Sequence, residues 1–143
     1  MALALEAAAE AARLGEVPVG AVVTGPDGRV LASAHNRTRA RRDPTAHAEM
    51  LALRAAARAL GSERLTGCTL WVTLEPCAMC AGAIAHARIA RLVYGAPDPK
   101  GGGVEHGARV FAQPTCHHRP EVIAGISARE AAAQLRAFFA GRR

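Results

Sequence analysis

Aromatic side chains are nearly missing: tryptophan, tyrosine and phenylalanine together make up 3% of 143 residues. Any base-stacking surface must rest on very few rings, so a long stacking platform for single-stranded nucleic acid is excluded. No segment approaches the roughly 20 consecutive apolar residues of a membrane span, and no membrane association is expected. Residues 1–12 are rich in alanine but carry Glu6 and Glu10, and they lack both a basic leader and a long apolar run. They read as a helix of the mature domain. Cysteine is sparse, with four in the chain, and a reduced, cytoplasmic protein is the simpler account of them. No internal repeat or low-complexity linker is found beyond the abundance of alanine.

Hydrophobicity and positive charge are what the chain does have. Its 143 residues, 50% hydrophobic, suffice for one domain with one sizeable core, and 1–143 is expected to be that domain. A net charge of +6 with a pI of about 10.1 suits a polyanionic partner such as nucleic acid.

Leu3, Leu5, Ala7, Ala11 and Leu14 give a loosely amphipathic first helix ended by Gly15. The valine-rich run 16–23 reads as a strand, Gly25-Pro26-Asp27-Gly28 is turn chemistry, and 29–33 returns to make a hairpin. Pro18 puts the first strand at the start or edge of the pairing, because proline cannot donate to a ladder. Gly20 leaves room for a close backbone approach or marks a bulge. After a basic loop at 35–42, Asp43-Pro44-Thr45 introduces a helix over about 46–60, with Met50, Leu51, Leu53 and Ala57 on its buried face and Arg54 and Arg58 on a wetter one. Strand 70–74 empties into a helix opened by cysteines, strand 89–95 follows, and 97–103 must be loop. A short strand at 122–126 and a capping box at Ser127-Ala128-Arg129-Glu130 precede a last helix to about 140. Strands alternating with helices after a hairpin predict an α/β protein, with a mixed sheet and helices on its faces.

The chemistry concentrates in Pro76-Cys77-Ala78-Met79-Cys80 and His47-Ala48-Glu49. Two thiols three positions apart at a helix start can reach one ion at Zn–S distances of about 2.3 Å. The free amides and positive dipole end of that turn favour thiolate. His47 offers a third ligand, and Glu49 a carboxylate that need not be one. Three protein ligands and an open position for water define catalytic zinc. Two thiolates and a neutral imidazole balance the charge of Zn²⁺, so a water there can lose a proton, which Glu49 would take. His47 and Glu49 lie about 200° apart on an ideal helix, so they share a site only if they occupy its first turn. Two alternatives stand beside this reading: a redox Cys-x-x-Cys pair, and a structural zinc whose fourth ligand comes from Cys116, His117 or His118. Those three are otherwise expected in a surface turn, and Cys68 as a small buried hydrophobe.

H-x-E followed by P-C-x-x-C is the known pattern of zinc-dependent nucleobase deaminases, and the likeness extends further. Gly15-Glu16-Val17-Pro18-Val19-Gly20-Ala21-Val22-Val23, His35-Asn36-Arg37, Asp43-Pro44-Thr45-Ala46-His47-Ala48-Glu49, the stretch 72–84 and the tail with Phe138-Phe139 and Arg142-Arg143 resemble bacterial tRNA-specific adenosine deaminases. The resemblance implies a three-layer α/β/α cytidine-deaminase-like fold with a mixed sheet of about five strands. It implies a homodimer, one Zn²⁺ per subunit, and conversion of the wobble adenosine to inosine in the anticodon stem-loop of an arginine tRNA. Carried over by position, His47, Cys77 and Cys80 are zinc ligands, Glu49 is the proton shuttle, and Asn36 and Ala48 contact the flipped base. Asp98 and Lys100 are carried over as RNA contacts, although here prolines flank Asp98 and Gly101-Gly102-Gly103 follows Lys100; nothing is assigned over 104–114. Phe138 either stacks on an anticodon-loop base or packs the last helix. Arg37, Arg39, Arg41 and Arg42 meet phosphates or form a solvated loop. The rivals are a deaminase of free guanine, cytosine or cytidine, and a non-catalytic RNA-binding module.

Overall fold

Side chains along a strand alternate between two faces, and in this chain helices cover both. The computed structural model describes residues 1–142; Arg143 of the arginine tail lies outside the described residues. Its elements are α1 (Ala2–Arg13), β1 (Gly20–Thr24), β2 (Val30–His35), α2 (Ala48–Leu60), β3 (Thr69–Leu74), α3 (Ala78–His86), β4 (Arg91–Ala96), β5 (Glu121–Ile123) and α4 (Ala128–Ala140), with a short 3₁₀ turn at Val110–Ala112. The sheet order is β2-β1-β3-β4-β5. Pairings are antiparallel on both sides of β1 and parallel from β3 through β5. This is the mixed five-stranded sheet with helices on both faces that was expected. No helix among the described residues is long and apolar enough to cross a membrane.

Ala21, Val23, Leu70, Val72, Leu92 and Tyr94 turn toward α2 and α3, where they join Ala52, Leu53, Ala56, Ala81, Ile84 and Ile89 in one buried cluster. α1 and α4 pack against the sheet and against each other. Here the expected helix face is wrong. Leu3 and Leu14 are 48% and 62% exposed, and Ala4, Ala8 and Ala11 are the buried residues of α1. The cause is Gly20: a Cβ there would stand 1.9 Å from the Ala4 carbonyl oxygen and 2.7 Å from the Ala8 nitrogen. The two backbones nearly touch, so only alanine fits the contact stripe.

Other boundaries shift for local reasons. β1 starts at Gly20, so Pro18 lies before the ladder, and β1 is an interior strand, not an edge. The capping box does not form, because Ser127 adopts φ 58° and makes no side-chain cap bond. Its carbonyl still accepts the first helical bond, from Ala131 at 3.1 Å. Pro76 sits outside α3, and the cap is Cys77 itself.

Two buried carboxylates hold the loops at the open end of the sheet. Glu75, 2% exposed, follows β3. Its Oε1 accepts from the Asp98 N–H at 3.0 Å and the His106 Nδ1–H at 2.7 Å. Its Oε2 accepts from the N–H groups of Val104, Glu105 and His106 at 3.2, 3.0 and 3.1 Å. Burial alone would raise its pKa, but these donors outweigh burial and hold it below the usual carboxylate value. Glu16, also 2% exposed, takes the N–H of Arg39 at 3.1 Å and of Ala40 at 2.7 Å, which fixes the basic loop.

Removing the Glu75 carboxylate strips five donors at once. Glu75→Ala is expected to destabilise the protein by about 3 kcal/mol in urea unfolding. Amide exchange at Val104, Glu105 and His106 should rise well above that of α2. Unchanged exchange there would show that the loop holds itself.

Candidate metal centre

A residue that caps a helix has non-helical backbone, so its side chain leaves in a direction that the helical wheel does not describe. His47 is the N-cap of α2 with φ −73° and ψ 151°, and Cys77 is the N-cap of α3 with φ −70° and ψ 174°. The expected difficulty of bringing His47 and Glu49 to one site disappears: His47 stands outside the helix, and Glu49 is inside its first turn. Cys77 and Cys80 both turn toward His47 at the start of α3. The His47 Nδ1 lies 3.6 Å from the Cys77 sulfur and 3.5 Å from the Cys80 sulfur.

These spacings can be compared with those of a bound ion. Tetrahedral bonds of about 2.3 Å to sulfur and about 2.05 Å to nitrogen require N···S separations of about 3.6 Å. The two observed distances match, and all three ligand atoms lie within 4.8 Å of one another. The residues fit zinc. Among the described residues no fourth histidine, cysteine, aspartate or glutamate joins the group, which leaves a coordination position open. Hydrogen bonds from Cys80 and then His47 hold Cys77 down at about 4, while the bond to Cys77, and burial after it, drive Cys80 upward.

The structural-zinc alternative fails on placement. The Cys116 thiol donates to the His118 carbonyl at 3.2 Å, His118 Nε2 bonds the Ile89 carbonyl at 2.7 Å, and His117 faces His86 with ring centroids 6.2 Å apart. Cys68 is fully buried, as expected for a small hydrophobe.

Glu49 is buried, 4% exposed, and burial pushes its pKa up to about 7. His47 and Cys77 are half-buried and Ala78 and Met79 exposed, so the centre is reached from the side of these residues. Asn36 lies beside it: its Oδ1 accepts the Ala48 N–H at 2.8 Å, which caps α2 in place of a side chain from His47. The structure thus gathers His47, Ala48, Glu49, Cys77, Cys80 and Asn36. Asp98 is half-buried, and its Oδ1 accepts from the N–H groups of Lys100 and Gly101 at 3.3 and 2.9 Å, while Lys100 is exposed. Phe138 is only 8% exposed and is covered by the Arg142 guanidinium at 3.7 Å from its centroid; Phe139, 53% exposed, is the open ring of the pair. Sequence reasoning missed Glu75 and Glu16. Each is an acid at the border of an apolar strand, and that was the available signal: such a charge is buried only when paired.

Residues 1–96 match the cytidine and deoxycytidylate deaminase zinc-binding region. Over 143 residues the chain is 57% identical to a tRNA-specific adenosine deaminase of Agrobacterium fabrum, covering 100% of this chain and 93% of that one. A solved structure from work on A-to-I editing by tRNA:A34 deaminases at the wobble position of transfer RNA superposes with a TM-score of 0.92 at 58% identity, over 94% of this chain and 97% of that one. A guanine deaminase from Nitrosomonas europaea superposes with a TM-score of 0.79 at 25% identity, over 97% of this chain and 82% of that one. Matched from its first residue through the end of β4 by the zinc-binding region, and along its whole length by the Agrobacterium enzyme, this chain belongs to the tRNA-specific adenosine deaminases of the cytidine and deoxycytidylate deaminase family.

Proposed function

We propose that this chain hydrolyses adenosine to inosine at the wobble position of a tRNA anticodon, with release of ammonia. The observation that carries the chemistry is a buried carboxylate, Glu49, beside three ligand atoms spaced for zinc, with no fourth such side chain among the described residues. Bound zinc supplies Lewis-acid activation of a water molecule, drawing its pKa from 15.7 toward about 7. His47, Cys77 and Cys80 would hold the ion. Glu49, with a pKa of about 7, would take one proton from the attacking water and pass it to the ring nitrogen beside C6; once the hydroxyl has added to C6, the same carboxylate would move that hydroxyl's proton to the amine, whose C–N bond breaks to release ammonia. Asn36 spends its Oδ1 on the Ala48 N–H, which leaves its NH₂ to donate to an acceptor nitrogen of the flipped base. Asp98, Lys100 and Phe138 are the further RNA contacts in this reading. Phe138 serves from beneath the Arg142 guanidinium, not as an open stacking face.

The whole chain acts as one domain in a reduced cytoplasm, where its tRNA substrate resides, with an arginine tRNA as the particular target. A homodimer is supported by the outer faces of α2 and α3. There Met50, Leu53, Ala57, Ala83 and Ala87 line an open cleft of about 520 Å³ that a second copy can cover, with Glu63 and His86 as its polar part and Arg54 on its border.

The decisive assay offers the zinc-loaded protein an anticodon stem-loop with adenosine at the wobble position, beside free adenosine, guanine and cytidine. Inosine is expected in the RNA alone; turnover confined to a free base overturns the reading. Glu49→Ala should keep one zinc per chain by metal analysis while kcat falls by about 10²–10⁴-fold or more. Cys77→Ala, in contrast, should lose stoichiometric zinc, and a fully loaded, active variant would remove Cys77 from the ligand set.

A further inference from the structure

Positive charge collects on one flank of the metal centre. Arg37 and Arg41 extend from the loop after β2, Arg54 and Arg58 stand one turn apart on α2, and the four line a cleft of about 240 Å³ with His35. Leu51 and Ala55 also line this cleft and give it an apolar part. All four arginines are exposed, and among the described residues none of them makes an ion pair. Asp43 is the acid that feels them. Its pKa is lowered first by the Thr45 hydroxyl and N–H and only then by Arg54 and Arg41, and its Oδ1 is already engaged by Thr45.

Four like charges crowded around one concavity against a single committed carboxylate repel one another. The backbone that carries Arg37 and Arg41 is nonetheless fixed. Glu16 fixes the loop through the N–H groups of Arg39 and Ala40. Arg37 N–H bonds the Ala46 carbonyl and Arg41 N–H bonds the Arg37 carbonyl, each at 3.0 Å. Arg42 takes φ 49° to close the turn. Such a loop gives up little freedom on binding, which favours affinity. Guanidinium forks match the oxygens of a phosphate pairwise. Arg37 is also next in sequence to Asn36, so the cleft begins one residue from the side chain that caps α2.

We propose that Arg37, Arg41, Arg54 and Arg58 form a phosphodiester-binding cleft that holds the backbone of the RNA strand whose adenosine enters the metal centre. This rests on the tRNA reading for its ligand but not for its test. Binding of the stem-loop is measured by fluorescence anisotropy across salt concentrations for the wild-type protein and for the Arg54→Gln/Arg58→Gln pair. Loss of two phosphate contacts should reduce the slope of log Kd against log salt by about 1.5 and weaken binding about tenfold at low salt. Arg37→Gln/Arg41→Gln should do the same from the other wall. Arg129→Gln/Arg136→Gln on α4 should leave the slope unaltered.

An unchanged slope in both cleft pairs overturns the proposal, as does an equal loss in all three pairs, which would report only net charge. Adenosine monophosphate distinguishes the ligand source: a matching loss of affinity for it would mark a lone-phosphate site and overturn the backbone assignment. Because binding needs no turnover, the two readings fail separately. A protein that binds the stem-loop through this cleft yet deaminates only free bases keeps the cleft and loses the function. Stem-loop turnover with an unchanged slope does the reverse.

Discussion

One nitrogen held 3.6 and 3.5 Å from two sulfurs, on segments at least thirty residues distant, is repelled by them unless a proton or a cation lies between. The rest of the chain is arranged to keep them there. Both N-cap ligands depend on where α2 and α3 begin, and those starts depend on how closely the helices sit on the sheet. Ala48, Ala52 and Ala56 on α2 and Ala81 on α3 are fully buried. Larger residues at these positions would lift the helices and part the ligands by more than a metal bond tolerates. The abundance of alanine, which by composition alone says little, is therefore a condition of the metal geometry.

The loops beside this centre are held by charge instead of by ladders. The parallel strands β3 and β4 end near Leu74 and Ala96, and beyond them backbone N–H groups have no strand to pair with. Glu75 meets four of these N–H groups and Glu16 two, so each buried anion stabilises a loop that has no regular structure of its own. Charge-assisted bonds of this kind offset the cost of burying a carboxylate only when several converge. The glycines follow from the same contact. A Cβ on Gly102 would stand 2.5 Å from the Glu75 carboxyl carbon, and one on Gly103 would stand 2.5 Å from the Ala78 nitrogen in the cysteine turn. The departure at 101–103 thus has a packing cause, with the loop folded directly onto the residues that present Cys77.

What could be read from the sequence was whatever depends on near neighbours. The Cys77 and Cys80 spacing, the Gly25-Pro26-Asp27-Gly28 turn and the α/β alternation are all local, and all three are present in the fold. The helical wheel allowed His47 and Glu49 one site only at the start of the helix, and they stand there, although the helix begins two residues later than read; the cap is completed by Asn36, twelve positions upstream, bonding the Ala48 N–H. Leu3 and Leu14 were misassigned because the packing face of α1 is chosen by Gly20 on another element. Glu75 escaped notice because its partners lie 23 to 31 residues away, and the capping box failed because Ser127 takes φ 58°, next to Ile126, whose N–H is held by the Tyr94 carbonyl on β4. Each miss is a case of tertiary contact overriding a local preference.

The shared fold also limits what the metal centre can decide. A guanine deaminase superposes at a TM-score of 0.79, so zinc ligands and a buried glutamate do not by themselves select a substrate. Discrimination has to come from the rim, and the rim is poor in rings. Of five aromatics, Tyr94, Phe111 and Phe138 are buried, and Trp71 commits its N–H to Thr24 at 3.0 Å, leaving Phe139 as the single exposed one. Stacking over a run of bases cannot supply the affinity. Charge can, since two thiolates and a neutral imidazole would balance a bound Zn²⁺, Glu49 is enclosed, and the net +6 is carried by arginines on the surface. A polyanion is thereby drawn toward the site regardless of its sequence, and in the proposed function the choice of base falls to the polar groups beside the three ligands, with Asn36 fixed among them by the same bond that starts α2.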